Sequence, residues 1–220
     1  YAWEARMYAL GTLLLCLCLV FLEKTITAQN KKNAWRNGII FAILTGALFH
    51  VHYFMLFSIA AIFLFVALFV LYTLLKKNTL QKISVIPLIV GSLLGLIIFL
   101  PWFPTFMKQR AQVQQSYWIP PMDNWSIPNT MSRLLLGGVS DFSHRTSVIC
   151  SILVIVILVM PLIFGRKRGD FLLFLSFFVP FAGSWWLSRG TSIYQDRYFV
   201  FASLALILLI ARCIYFLPSR

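Results

Sequence analysis

Seven apolar blocks, separated by short basic stretches, constrain the fold more than any other feature of the sequence. A helix needs about 20 apolar residues to cross the roughly 30 Å hydrocarbon core of a bilayer. Runs such as residues 152–159 are continuously apolar, whereas a transmembrane β-strand alternates apolar and polar residues. We therefore predict an all-α, polytopic transmembrane helical bundle that forms a single domain across residues 1–220. The predicted membrane segments are residues 5–22, 37–50, 53–75, 84–104, 147–164, 171–187 and 197–217.

The longest apolar stretch, from Gly38 to Leu75, is too long for one straight membrane helix. Its 38 residues would span about 57 Å at 1.5 Å per residue, nearly twice the apolar thickness of a bilayer. The only polar cluster inside the stretch is His50-Val51-His52-Tyr53. The length predicts two helices that fold back at this cluster. The alternative is a single helix that is strongly tilted and bent.

The basic residues orient the predicted bundle. The net charge of +13 comes from 19 Lys and Arg against 6 Asp and Glu. These cations lie between the apolar blocks and accompany no recognition motif, so we predict no nucleic-acid partner. With a turn at residues 50–53, the basic loops at 24–36, 76–82 and 166–168 fall on one side. The positive-inside rule assigns that side to the cytoplasm, which predicts a multi-pass protein of the cell (plasma) membrane.

A long connection, from about residue 105 to 146, lies on the extracytoplasmic side in this topology. Its polar stretch 108–115 predicts a short helix along the interface, which the proline pair at 120–121 ends. Ser126 is expected to cap a second short helix, which the glycine pair at 137–138 ends. Short amphipathic helices of this kind lie in the membrane surface.

Three polar groups at the extracytoplasmic ends of the predicted helices are candidates for a site. Charged side chains at such positions are costly unless they are solvated, paired or used. Arginine suits a phosphate because its guanidinium forms forked, charge-assisted hydrogen bonds. Each group also has a purely structural explanation, namely flanking charge at a helix end, a polar turn and an interfacial ion pair. The groups are Glu4-Ala5-Arg6-Met7-Tyr8, His50-Val51-His52-Tyr53 and Gln195-Asp196-Arg197-Tyr198.

No metal site is predicted from the residues themselves. His50 and His52 are a weak metal signal, because two ligands on one helix face are spaced by four residues rather than two. The four cysteines lie inside apolar blocks without the spacing of zinc ligands. We expect the cysteines to pack as small apolar residues.

The sequence resembles the GT-C membrane glycosyltransferases, in particular the group of dolichyl-phosphate-mannose–protein mannosyltransferases and aminoarabinose transferases. Glu4–Leu10, at the head of a helix, resembles a stretch of that family. The pair His52-Tyr53 resembles its turn between two short helices, and Arg197-Tyr198 resembles the start of a late helix. These motifs are short, but they occur in order along nearly the whole chain. The stretches that resemble the outer loop of the family are Pro101-Trp102-Phe103-Pro104 and Tyr117-Trp118-Ile119-Pro120-Pro121.

The resemblance implies a membrane glycosyltransferase that moves a sugar from a polyprenyl-phosphate-linked donor to a glycan, lipid or protein acceptor. The active face would be extracytoplasmic, within a shell of membrane lipids. Arg6 and Arg197 would bind the donor phosphate, and Glu4 would form hydrogen bonds or assist a divalent metal, which is the one cofactor that the resemblance admits. The other substrate-binding positions that it implies are Tyr8, His50, His52, Tyr53, Trp118, Gln195 and Tyr198.

The catalytic acid of this family lies upstream of the stretch that matches Glu4–Leu10, and it deprotonates the acceptor hydroxyl. The general base is therefore expected upstream of Tyr1, its identity is unknown, and residues 1–220 are expected to be a fragment that is inactive by itself. Two other classes of function stay open. One is a transporter or flippase for a lipid-linked sugar, and the other is a non-catalytic membrane subunit of a glycan-assembly complex.

The predicted topology places residues 77 and 124 on opposite sides of the membrane. In a background without the native cysteines, Lys77→Cys is expected to react with a membrane-impermeant maleimide from the cytoplasmic side alone. Asn124→Cys is expected to react from the extracytoplasmic side alone, because the turn at residues 50–53 reverses the chain. Labelling of both positions from the same side would contradict that turn.

Overall fold

In a computed structural model of the protein, the described residues fall into nine α-helices. The chain divides into two compact units, Tyr1–Ser116 and Tyr117–Arg220, each with its own helix–helix contacts. The single membrane domain expected across the chain stays a prediction. The structure describes residues 2–76, 82–115, 119–137, 142–190 and 192–216, and it describes their side chains except at 2–6 and 113–115.

The described part of unit 1 has its second helix at the centre. Its helices are α1 (Ala2–Ile26), α2 (Lys31–Val51), α3 (Met55–Leu75), α4 (Lys82–Phe99) and α5 (Phe103–Gln115). Helix α2 contacts α1, α3 and α4. Fully buried Phe41 and Leu48, both on α2, belong to the apolar core between these helices.

Four helices make up the described part of unit 2. They are α6 (Ser126–Leu136), α7 (His144–Met160), α8 (Arg168–Leu187) and α9 (Val200–Tyr215). Helix α7 contacts α6 and α9, and α8 packs against α9. A π-helical turn, Pro161–Gly165, extends α7, and a 3-10 turn, Asp196–Phe199, precedes α9.

Seven helical segments among the described residues are long and apolar enough to cross a membrane. This confirms the predicted all-α polytopic bundle, and the protein is a multi-pass membrane protein. The segment with the highest mean hydropathy, 3.1, is also the least buried, so most of its surface is left for lipid. The segments are Met7–Ile26, Lys31–Val51, Met55–Leu75, Lys82–Gln112, His144–Gly165, Arg168–Leu187 and Asp196–Tyr215.

The break predicted inside the longest apolar stretch is confirmed. Helix α2 ends at Val51 and α3 begins at Met55, so His52 and Tyr53 lie between two helices of 21 residues each. Each helix is about 31 Å long at 1.5 Å per residue, which matches the apolar core of a bilayer. The backbone N–H of Phe54 donates to Nδ1 of His52 at 3.1 Å and closes the turn. The alternative of a single bent helix is therefore wrong.

The two short helices predicted after α4 are present. Helix α5 begins at Phe103, earlier than the predicted start at residue 108, because the chain passes from α4 through one 3-10 turn containing Pro101. Helix α6 ends at Gly137, as predicted, and the positive φ of 74° at this glycine is a backbone conformation that favours glycine over other residues. Gly138 lies outside the described residues. The placement of α6 in the membrane surface stays a prediction.

Asp123, rather than Ser126, organises the start of α6. The Asp123 carboxylate accepts the backbone N–H of Trp125 at 3.0 Å and the hydroxyl of Ser126 at 2.6 Å. The hydrogen bond from the Ser126 hydroxyl is the main reason that the pKa of Asp123 lies below its usual value. The predicted capping role of Ser126 is therefore wrong, because its side chain is held by the turn that Asp123 builds.

Glycines allow α2 and α4 to approach closely. A Cβ atom on Gly91 would lie 2.8 Å from the backbone oxygen of Gly38, and a Cβ atom on Gly38 would lie 2.9 Å from that of Pro87. One on Gly95 would lie 3.0 Å from the side chain of Thr45. Gly91 and Gly95 are four residues apart, so they share one face of α4. Small residues at this spacing let membrane helices pack with their backbones almost in contact.

An ion pair joins the first turn of α8 to the last turn of α9. Two guanidinium nitrogens of Arg212 donate to the two carboxylate oxygens of Asp170, at 2.7 and 3.1 Å. Asp170 is buried and also accepts the backbone N–H of Lys167 at 3.3 Å. Gly165 leaves room for the carboxylate, because a Cβ atom there would overlap it. The predicted helix 171–187 began one residue after this aspartate and so did not include it.

The glycine contacts predict the effect of a single methyl group. Gly91→Ala is expected to lower the free energy of unfolding in detergent by about 1–3 kcal/mol, because the added atom meets backbone that cannot rotate away. The measurement is denaturant-induced or thermal unfolding of the purified protein.

Gly169→Ala is the matched control, since a Cβ atom at this helical glycine has no neighbour within 4 Å. It is expected to leave stability unchanged or to raise it slightly through helix propensity. An equal loss of stability in the two variants would contradict the role of Gly91.

Candidate functional site

Tyr8 and His52 lie together at one end of unit 1. Their ring centroids are 5.5 Å apart, with the planes inclined at 39°. Tyr8 is in the first turns of α1, and His52 is in the turn between α2 and α3. Because Nδ1 of His52 accepts the backbone N–H of Phe54, the neutral imidazole carries its proton on Nε2. The pairing joins two of the three polar groups singled out in the sequence.

His50 and Tyr53 contact aromatic side chains around the start of α5. The ring of His50 lies 6.0 Å from that of Phe99 and 6.1 Å from that of Trp102, with edge-to-face geometry. The ring of Tyr53 lies 5.0 Å from that of Phe106. The polar turn and the proline-flanked stretch between α4 and α5, which resemble two motifs of one family, are therefore neighbours in unit 1.

Three predicted site residues have no described side chain. Glu4 and Arg6 lie in the first turns of α1, within four residues of Tyr8 and therefore close to the contact with His52. Trp118 lies outside the described residues. The roles assigned to these three residues stay predictions.

A hydrogen-bond network in unit 2 links α6 to the segment before α9. The hydroxyl of Tyr194 donates to that of Thr130 at 2.8 Å, and the Thr130 hydroxyl donates to the Asp196 carboxylate at 2.5 Å. Asp196 also forms an ion pair with Arg133, which lies one turn after Thr130 on α6. Tyr194 and Thr130 are buried. Burial raises the pKa of Tyr194, so its phenol stays protonated at neutral pH.

The predicted residues Gln195, Arg197 and Tyr198 flank this network. Gln195 has extended backbone, and its buried side-chain oxygen accepts no hydrogen bond from the described residues. The guanidinium of Arg197 lies 5.6 Å from the ring centroid of Tyr198. A buried acceptor without a donor is costly. Among the described residues, the oxygen of Gln195 therefore keeps an unused acceptor position.

A cavity of about 380 Å³ opens beside α6 and the end of α8. The guanidinium of Arg189 stacks over the ring of Trp185 at 4.0 Å. Asp123 and Asn124 also line the cavity. Its size is that of a small-molecule site, and an aromatic ring together with amide, carboxylate and guanidinium groups suits a ligand rich in hydroxyl groups.

All carboxylates described in unit 2 take part in hydrogen bonds or ion pairs within the fold. Asp123 holds the turn before α6, Asp170 pairs with Arg212, and Asp196 pairs with Arg133. A general base must be free to reach the proton of the acceptor hydroxyl, whereas the oxygens of these carboxylates take part in hydrogen bonds and ion pairs within the fold. These three residues are therefore poorly placed for that role.

The described residues do not provide a metal centre by themselves. No group of three His, Cys, Asp or Glu side chains among them lies close enough together to hold an ion. His52 uses Nδ1 within its own turn, and His50 packs among aromatic rings.

Sequence reasoning missed Thr130, Arg133 and Tyr194. Arg133 lies far along the chain from Asp196, so the ion pair has no local pattern. One signal was present, because Arg133 is the single charged residue in α6. A lone cation on a helix that packs against other helices needs a partner, and the nearest acids on the same predicted side include Asp196.

No family model matches the chain, and no curated protein or solved structure matches it either.

The network in unit 2 predicts a coupled loss of stability. Thr130→Val removes the hydroxyl that joins Tyr194 to Asp196, and the expected cost is about 1–3 kcal/mol, because buried polar partners lose their hydrogen bonds. Tyr194→Phe removes the other end of the same bond. The two changes together are expected to cost less than the sum of the single changes when unfolding is measured in detergent.

Thr73→Val is the control for a lost buried hydroxyl. Thr73 is as buried as Thr130, and its hydroxyl donates to the carbonyl of Phe69 in its own helix. A smaller effect is expected at Thr73. Strictly additive effects of Thr130→Val and Tyr194→Phe would show that the network is not a unit.

Proposed function

We propose that the protein is part of a membrane glycosyltransferase of the GT-C type. The enzyme moves a sugar from a polyprenyl-phosphate-linked donor to a glycan, lipid or protein acceptor on the extracytoplasmic face. The contact between Tyr8 and His52 carries the proposal. The two residues belong to separate motifs of the resemblance, and both motifs would border the donor. Their meeting at one end of unit 1 supports a single donor site there.

Arg6 in unit 1 and Arg197 in unit 2 are each a candidate to bind the donor phosphate, as the resemblance implies. Negative charge develops on the leaving phosphate in the transition state, and fixed cations stabilise it. Arg133 neutralises Asp196, so the charge of the segment 196–197 together with Arg133 is net positive. This excess of positive charge supports an anion beside Arg197.

In the proposed reaction the acceptor hydroxyl attacks the anomeric carbon. The bond from that carbon to the phosphate oxygen breaks, and the polyprenyl phosphate leaves with the electron pair. The proton of the acceptor passes to a carboxylate other than Asp123, Asp170 and Asp196. His52 and Tyr53 line the sugar site and hold the ring in position for attack.

Phosphate binding is tested with the full-length protein in liposomes that contain polyprenyl-phosphate-linked mannose or aminoarabinose together with a glycan, lipid or protein acceptor. Arg6→Ala and Arg197→Ala are each expected to lower the release of polyprenyl phosphate about 100-fold, which is the usual effect of removing one fixed group that stabilises developing charge. Arg145→Ala is the charge-matched control. Arg145 is exposed at the start of α7, and its loss is expected to leave the rate unchanged.

Unchanged release in both the Arg6 and Arg197 variants would overturn the phosphate assignment. Movement of the intact donor across the bilayer without cleavage would instead identify a transporter or flippase. The readout therefore separates bond cleavage from translocation.

A non-catalytic membrane subunit is the second candidate, and the engagement of the described carboxylates in unit 2 favours it. This alternative predicts that the purified full-length protein cleaves no donor. It also predicts that removing the protein from cells abolishes the product of a glycan-assembly complex, and that the Arg197→Ala variant restores that product.

A further inference from the structure

A cavity of about 490 Å³ lies between the end of α1 and the start of α2 in unit 1. Helix α2 separates it from the contact between Tyr8 and His52, since the cavity is at its first residues and His52 follows its last. The residues that matter in its lining are Phe21, Lys24, Gln29, Asn33, Arg36 and Ile40. Polar donors and an apolar wall therefore share one opening.

The lining of this cavity is cationic. Lys24 comes from the last turns of α1 and Arg36 from the second turn of α2, and no carboxylate is among the described lining residues. The ammonium of Lys24 lies 5.0 Å from the ring centroid of Phe21, which holds it at the wall. The side-chain amide of Asn37 donates to the backbone oxygen of Lys24 at 3.1 Å. This hydrogen bond joins α1 to α2. It therefore fixes the backbone positions from which Lys24 and Arg36 extend.

We propose that this cavity binds a phosphate group, supplied by the headgroup of an anionic phospholipid. A guanidinium offers forked hydrogen bonds to phosphate oxygens, and an ammonium adds a point charge. Amide groups of Gln29 and Asn33 line the same space and add neutral donors. Basic pockets between membrane helices at the cytoplasmic surface are typical sites for such headgroups. The site shares no residue with the proposed sugar-transfer chemistry.

The surroundings of the cavity favour a lipid as the source of the phosphate. Phe21 and Ile40 form its apolar wall, where the glycerol and the first methylene groups of a phospholipid would lie. Trp35, next to Arg36, is 40% exposed, and exposed tryptophans mark the headgroup level of a membrane. An opening beside Trp35 and Arg36 is what a site for the phosphate of a lipid headgroup requires.

The positive-inside rule gives a simpler account of cations at this end of the protein. Under that account, Lys31 and Lys32 act in the same way as Lys24 and Arg36, because only the number of charges matters. Phosphate binding depends instead on which cations line the cavity. Lys31 and Lys32 are exposed at the start of α2 but are not part of the lining. The two pairs are thus matched in charge and differ in position.

The test compares two double variants of the full-length protein in a neutral detergent. Binding of phosphatidylglycerol is measured by native mass spectrometry, with phosphatidylcholine as the neutral reference lipid. Lys24→Gln with Arg36→Gln is expected to weaken phosphatidylglycerol binding about tenfold, because two charge-assisted contacts are lost. Lys31→Gln with Lys32→Gln is expected to weaken it less than about twofold, by reducing general attraction alone.

Equal weakening by the two double variants would overturn the proposal. So would equal binding of phosphatidylglycerol and phosphatidylcholine by the unaltered protein, which keeps the test decisive if a variant fails to fold. Inorganic phosphate at millimolar concentration is added as a competitor of phosphatidylglycerol. Displacement of the lipid from the unaltered protein, but not from the Lys24 and Arg36 variant, would support the phosphate site and identify free phosphate as a source. Retention of phosphatidylglycerol in the presence of inorganic phosphate would support the lipid.

Discussion

The backbones of α2 and α4 come almost into contact, and the arrangement of unit 1 depends on that approach. In a bilayer there is no hydrophobic gain from pairing two apolar helices, so close van der Waals packing must hold them together. Gly38 and Gly91 provide it, since each faces backbone atoms of the opposite helix. With α4 fixed against α2, the aromatic residues around the start of α5 are carried to the turn that holds His50 and Tyr53.

In unit 2, polar contacts hold the helices together. Tyr194, Thr130, Asp196 and Arg133 join α6 to the segment that leads into α9, and the stacked rings of Phe181 and Phe199, 4.0 Å apart, lie in the α8–α9 contact. Buried hydrogen bonds of this kind fix one geometry, because a partner left unsatisfied is costly in a poorly solvated environment. The network therefore holds Gln195 and Arg197 in place beside it, which a mobile loop would not do.

The seven membrane segments and the break at His52 were predictable, because span length and hydropathy depend on local composition. The same holds for the end of α6 at Gly137, where a glycine supplies a conformation that other residues avoid. The side-chain pairings in the two candidate regions, one in each unit, were not predictable in this way. Arg133 with Asp196, and Tyr8 with His52, are distant in the sequence, and only helix packing brings them together. The proposed activity comes from the resemblance of short motifs, which helix packing alone does not encode.

The ion pair between Asp170 and Arg212 also imposes an order on biosynthesis. The two residues are 42 positions apart, so at about 5–20 residues per second the arginine emerges roughly 2–8 s after the aspartate. During that interval the carboxylate keeps its solvation at the membrane surface, because burying a single charge is far more costly than burying a pair. Helices α8 and α9 are therefore suited to enter the bilayer as one hairpin. The finished fold buries this aspartate only together with its arginine partner.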